Sequence, residues 1–214
     1  MFIAVGAVIA LVILVVVELF VHRLNGEERR LLAEAPAASR SAGCGAVRNV
    51  SPYRPESLDR VHIGGPDARR MPALSTYPSI PPTSGPHDPT PIGAGVYTTA
   101  PPLGRALHSL EHAAVIVWYD PSRASASEVK RVQDFFRRGD EKNHIIVAPY
   151  QYPGFGADGS LPAGQAMALV AWHHLQACSE ASLPVAFAFV HAYRFDIYQW
   201  GAYRGDAPEK LSPI

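Results

Sequence analysis

The chain has 214 residues, 48% of them hydrophobic, with 19 Lys+Arg balanced by 19 Asp+Glu. A chain of this length carries one or two domains with cores of their own. Its zero net charge excludes the basic excess by which nucleic acid or anionic lipid is usually bound, so no nucleic-acid partner is expected.

The first element in chain order is MFIAVGAVIALVILVVVELFVHR, apolar from Met1 to Val17, broken once at Glu18, and apolar again to Val21. A helix needs about 20 apolar residues to cross a bilayer, so a transmembrane anchor is expected over residues 1–22. A secretory signal would begin with basic residues and carry a small-residue cleavage site close behind a shorter apolar run. Here no Lys or Arg precedes the run, and AEAPAAS lies well beyond it. A retained single-pass anchor in the cell membrane is therefore expected, with the membrane as partner through this helix. Arg23, Arg29 and Arg30 follow it and by the positive-inside rule would hold the rest of the chain in the cytoplasm. Two cysteines, Cys44 and Cys178, pull the other way, since one pair closing a long loop suits an oxidising compartment; free buried thiols are the alternative.

Residues 23–43 read as a short juxtamembrane helix fading into a linker, and residues 44–214 as one domain. From Cys44 to Pro102 the chain is punctuated by proline and glycine with no sustained period. Val61, Ile63, Leu74, Tyr77, Ile80, Val96 and Tyr97 recur at intervals, so packed, ordered loops are expected. AAVIVWYD (113–120) and NHIIVAPY (143–150) are β-prone and apolar on both faces, as buried strands are. Between them SEVKRVQDFF reads as a helix with Ser125 or Ser127 as its N-cap. AMALVAWHHLQAC is expected as a third strand running into a bend. SLPVAFAFVHAYRF reads as a helix opened by Ser182 and Pro184. Together these make an α+β domain, a small sheet with helices packed on one face, preceded by a long ordered loop-rich segment and the transmembrane helix.

HIGGP, YPSIPPTSGPH, GAGVY, ALHSLEHAAVIVWYDP, VAPY and APEK follow one another in that order. In these motifs, from His62 to Glu209, the chain resembles the bacterial domain-of-unknown-function family numbered 3105, with its PPTSGPH-like loop and HSLEHG-like segment. The resemblance implies a single N-terminal membrane helix with the domain outside the cytoplasm, and it implies no particular chemistry. Two positions depart from the family pattern: Ala113 stands where many members have glycine, and Ala94 where many have cysteine.

These motifs bring His62, His87, His108 and His112 forward. His87 follows a loop whose prolines preset the backbone and whose Gly85 permits positive φ. His108 and His112, at i and i+4, share a face if residues 105–112 form two helical turns. Neutral imidazole is the commonest protein donor to zinc and copper, and three such donors make an open site. The expectation is a bound transition metal, copper or zinc, held by His87, His108 and His112 with His62 as fourth candidate and Glu111 orienting an imidazole from behind. A purely structural module that recruits a protein partner of unknown identity is the competing reading. A third is a zinc hydrolase, because His108-Ser-Leu-Glu111-His112 spells H-x-x-E-H, although that motif belongs on a longer helix. Ser84 lacks a nucleophile-elbow context. His173 and His174 are expected on opposite strand faces, unable to act together. The aromatic residues Tyr193, Phe195, Tyr198, Trp200 and Tyr203 are expected to pack rather than to line a ligand cage.

Overall fold

A computed structural model describes residues 24–64, 71–138, 143–196 and 203–214. Helices α1 (Gly26–Ser41), α2 (Leu103–Glu111), α3 (Ala126–Phe136) and α4 (Leu183–Tyr193) surround a sheet of β1 (Arg48–Asn49), β2 (Gly95–Val96), β3 (Val115–Tyr119), β4 (Ile145–Pro149), β5 (Met167–Ala171) and β6 (His174–Cys178). The strand order is β1-β6-β5-β3-β4-β2. β2, β4 and β3 run parallel, whereas β5 pairs antiparallel with both β3 and β6.

Alternation along the strands decides what covers the sheet. Ile116, Trp118, Ile146, Ala148, Ala168 and Val170 point to one face, where Ala106, Leu107 and Leu110 of α2 and the loop residues Tyr53, Leu74 and Tyr77 bury them. Val115, Val117, Ile145, Val147 and Leu169 point to the other, against Leu31 of α1, Phe135 and Phe136 of α3, and Val185, Phe187 and Phe189 of α4. Strands apolar on both sides demand cover on both sides. The expected fold class is corrected accordingly: the sheet is mixed, and helices lie on both faces, α2 sharing one with the loop-rich segment.

The expected anchor at residues 1–22 lies outside the described residues, and among those described no helix is long and apolar enough to cross a membrane. The expectations of a transmembrane helix, of the membrane as partner and of a single-pass extracytoplasmic location in the cell membrane are corrected on that finding. The helix foreseen in the linker runs through Ser41, opened by a capping box in which Asn25 and Glu28 satisfy each other's backbone N–H. It packs against α4.

Cys44 and Cys178 form a disulfide. It ties the segment after α1 to the end of β6, beside the Gly45 N–H donated to the Ala177 carbonyl at 3.0 Å. Sequence reading of AMALVAWHHLQAC joined two strands: β5 and β6 form a hairpin turning at Trp172 and His173, with Ala171 paired to His174. His173 adopts φ +57°, as Ala113 adopts φ +64°. The left-handed conformation at Ala113 suits the glycine that the resemblance leads one to expect there.

Candidate metal centre

The site lies where α2 meets two loops. The loop segments carrying His62 and His87 lie side by side as a parallel bridge. The Ile63 N–H donates to the His87 carbonyl at 2.7 Å and the His87 N–H to the Val61 carbonyl at 3.0 Å. Gly85 adopts φ +116°, and a Cβ there would lie 2.7 Å from a Tyr77 ring carbon and 2.8 Å from one of Tyr53. Glycine is therefore what lets this loop lie flat on the two tyrosines. The Tyr77 hydroxyl then fastens it by donating to the Pro86 carbonyl at 2.6 Å. From the other side α2 presents His108 and Glu111 on one face, and His112 caps its C-terminus.

Three imidazoles are held alike. His87 Nδ1 lies 2.7 Å from the Gly85 carbonyl, His108 Nδ1 2.7 Å from that of Asp88, and His112 Nδ1 2.8 Å from that of Pro213. A carbonyl only accepts, so each Nδ1 carries the hydrogen, and in the neutral ring Nε2 is a bare lone pair. All three bare nitrogens meet other acceptors. His108 Nε2 faces His112 Nε2 at 3.0 Å, and His87 Nε2 faces Glu111 Oε2 at 3.0 Å. His87 Nε2 and Glu111 Oε2, both fully buried, have no hydrogen-bond partner among the described residues. The His87–Glu111 pair is thus within ion-pair distance without hydrogen-bond geometry. Burial, together with the neighbouring imidazoles, holds His108 below the ordinary histidine pKa despite its bond to Asp88.

Glu111 is an anion. Burial works to raise its pKa, but His87, where that ring carries a second proton on Nε2, and Arg60 outweigh that and lower it to about 2. Arg60 donates through Nε to Glu111 Oε1 and through a second nitrogen to Glu209 Oε1 at 2.9 Å. Glu209 in turn brings Oε2 to 3.3 Å from His112 Nε2. Its backbone N–H donates to the Glu111 carbonyl at 3.0 Å.

Two groups of donor atoms result, each with all its atoms within 4.8 Å of one another: His62, His87, His108 and Glu111, and then His108, His112 and Glu209. Either group could hold a metal ion. All four histidines read from the sequence are here, divided between the groups with His108 common to both. Glu111 lies among the donor atoms rather than behind them. His62 is the outermost, with its ring stacked 4.7 Å from that of His108 and its Nε2 3.8 Å from Glu111 Oε2. Sequence reading missed Glu209 and Arg60. Glu209 lies in APEK, a motif noted for its resemblance alone; nothing in the local sequence marks Arg60.

Other residues singled out earlier serve elsewhere. The Ser84 hydroxyl donates to Asp59 Oδ1 at 2.5 Å. His173 sits between two carboxylates, with Nε2 2.8 Å from Asp59 and Nδ1 3.2 Å from Asp206. His174 Nε2 comes within 3.3 Å of the other Asp206 oxygen, so the two histidines act on one carboxylate after all. The tight hairpin turn, which the sequence reading lacked, swings His173 round. Burial disfavours the His173 cation, yet Asp206 and Asp59 together raise its pKa to about 9. Of the expected aromatic packing, Phe195 and Tyr203 meet edge to face at 5.3 Å, while Tyr198 and Trp200 lie outside the described residues.

Fold and site define a mixed α/β domain with a buried histidine–carboxylate cluster able to hold a metal ion. The chain belongs to the family described as "Protein of unknown function (DUF3105)", whose model matches residues 70–201. His87, His108, Glu111 and His112 fall within that match; Arg60, His62 and Glu209 lie outside it. No curated protein and no solved structure is significantly similar to the chain.

Proposed function

We propose that this protein binds one transition-metal ion, zinc or copper, through His87 Nε2, His108 Nε2 and Glu111 Oε2, with His62 completing the set at the rim and His112 adjoining. The supporting observation is the shared orientation of the imidazoles: each Nδ1–H is tied to a backbone carbonyl, and each Nε2 is turned inward toward another acceptor. Metal-ligating histidines are oriented in this way by their second nitrogen. Facing lone pairs at 3.0 Å repel unless a cation lies between them. Two donors each about 2.0–2.1 Å from zinc and 3.0 Å from each other subtend roughly 91–97° at the ion, within the reach of a distorted four-coordinate site. Imidazole with carboxylate suits zinc or copper(II), and neither cysteine is free to offer thiolate.

A structural clamp is the second reading, and the three carbonyl bonds favour it. It needs a second proton on the rings to satisfy the inward-turned nitrogens, where the metal reading needs an ion. Hydrolysis through H-x-x-E-H has less support, because a glutamate that activates water needs a free oxygen at an open cleft. Both oxygens of Glu111 are engaged by or face other residues of the site, and the side chain is buried.

Elemental analysis of the full chain, purified without a polyhistidine tag, tests the proposal against the His108→Ala/His112→Ala double variant. About one zinc or copper per chain is expected, lost in the variant. A folded wild-type protein that carries no metal and takes up none on titration would leave the clamp as the better account.

A further inference from the structure

The two donor groups share a single atom, His108 Nε2, because Nδ1 of that ring is committed to the Asp88 carbonyl. One lone pair serves one ion at a time. We infer that His108, His112 and Glu209 form an outer position for the same ion, alternative to the inner position at His87, His108 and Glu111, through which the ion enters and leaves. The inference rests on the metal reading above.

The two positions differ in where their donors come from. His87 and Glu111 are sealed, at 0% and 1% exposure, and the donors that reach solvent are His62 at the rim of the inner set, 45% exposed, and Glu209 in the outer set, 37% exposed. Inner donors come from α2 and from the loop packed beneath it. Outer donors join α2 to the chain's last segment, which lies over the site through the Pro213 carbonyl on His112 and the Glu209 N–H on the Glu111 carbonyl. That segment is secured at its near end by Asp206, gripped by His173 and His174. Arg60 bridges Glu111 and Glu209, so the two carboxylates face one cation. An ion shifting from one set to the other keeps His108 and replaces its other donors one by one. It therefore never passes through a state stripped of protein ligands.

The sign of one kinetic effect separates a relay from a lid. Glu209→Gln keeps an oxygen for Arg60 and removes the anionic donor. If Glu209 belongs to an entry position, both zinc loading of the full chain and its removal by excess colorimetric chelator slow, by about tenfold for each 1.4 kcal/mol lost from the intermediate. Binding stays at one zinc per chain, and circular dichroism shows the wild-type fold. Exchange that is unchanged or faster in Glu209→Gln overturns the inference and makes Glu209 a cover or a bystander. Two zinc ions per wild-type chain overturn it as well, since the positions are then not alternatives. A wild-type chain that binds no zinc fails earlier, at the metal reading itself.

Discussion

Substituting His108 probes the centre at the one atom both donor groups need. Zinc that binds only the native protein, at a free concentration one hundred times its Kd, adds about 2.7 kcal/mol to stability. For a chain of this size each kcal/mol moves Tm by about 2–4 °C, so the expected rise is roughly 5–11 °C. His108→Gln retains an amide N–H for the Asp88 carbonyl and removes the Nε2 that faces His112. In the metal-free state it also removes one of two lone pairs held 3.0 Å apart, so the metal-free variant should melt within a few degrees of wild type. With zinc its Tm rise should fall below about 2 °C, since neither donor group is complete. Differential scanning calorimetry with and without zinc, at fixed protein concentration, reads both quantities. A variant that keeps the full zinc-dependent rise would refute the assignment of His108, and a wild type that shows none would refute the centre.

Gly85→Ala adds a Cβ into the Tyr53 and Tyr77 rings at positive φ, and is expected to cost about 2–4 kcal/mol. By displacing the carbonyl that orients His87 it should also weaken zinc binding at least about tenfold in a competition titration; unchanged stability would mean the loop yields freely. Removing the Cys44–Cys178 bridge, whose partners are 134 residues apart, should lower stability by about 5 kcal/mol on the chain-entropy account. Guanidinium unfolding of the Cys44→Ser/Cys178→Ser variant measures this, and a loss under about 1 kcal/mol would contradict it. His173 contributes in the opposite pH direction from a buried carboxylate. Its folded pKa of about 9 lies above its ordinary 6.5, so its stabilisation is complete below pH 6.5 and fades as pH rises through 9. The upper bound is about 3 kcal/mol, reduced by the half-exposed position of Asp206. Asp206→Asn should flatten the decline of Tm over that window, and an equally steep decline would remove Asp206 from the cause.

The strands at Val115–Tyr119 and Ile145–Pro149 and the helices over Ala126–Phe136 and Leu183–Tyr193 were legible because their apolar runs and start signals are local. The same runs held a clue that the one-face arrangement overlooked: strands apolar on both faces exclude an uncovered side. The β5–β6 hairpin was hidden for a different reason. Its turn residues, Trp172 and His173, carry no turn chemistry. The turn is held from outside, by the Val50 N–H on the His173 carbonyl and by Asp59 and Asp206 on the ring.

The histidines of the centre were readable as residue types in a suggestive spacing, because His108 and His112 lie one helical turn apart. The sequence alone also determined the paired cysteines as a bridge candidate and the buried strands as strands, since each depends on composition or on period along the chain. Only the tertiary structure decided that His62 and His87 lie beside His108, that Glu111 lies among the candidate donors, and that Glu209 and Pro213 close over His112 from 97 and 101 residues along the chain. Such convergence is fixed by backbone bridges and by which face of the sheet α2 covers, and neither leaves a trace in the spacing of residues along the chain.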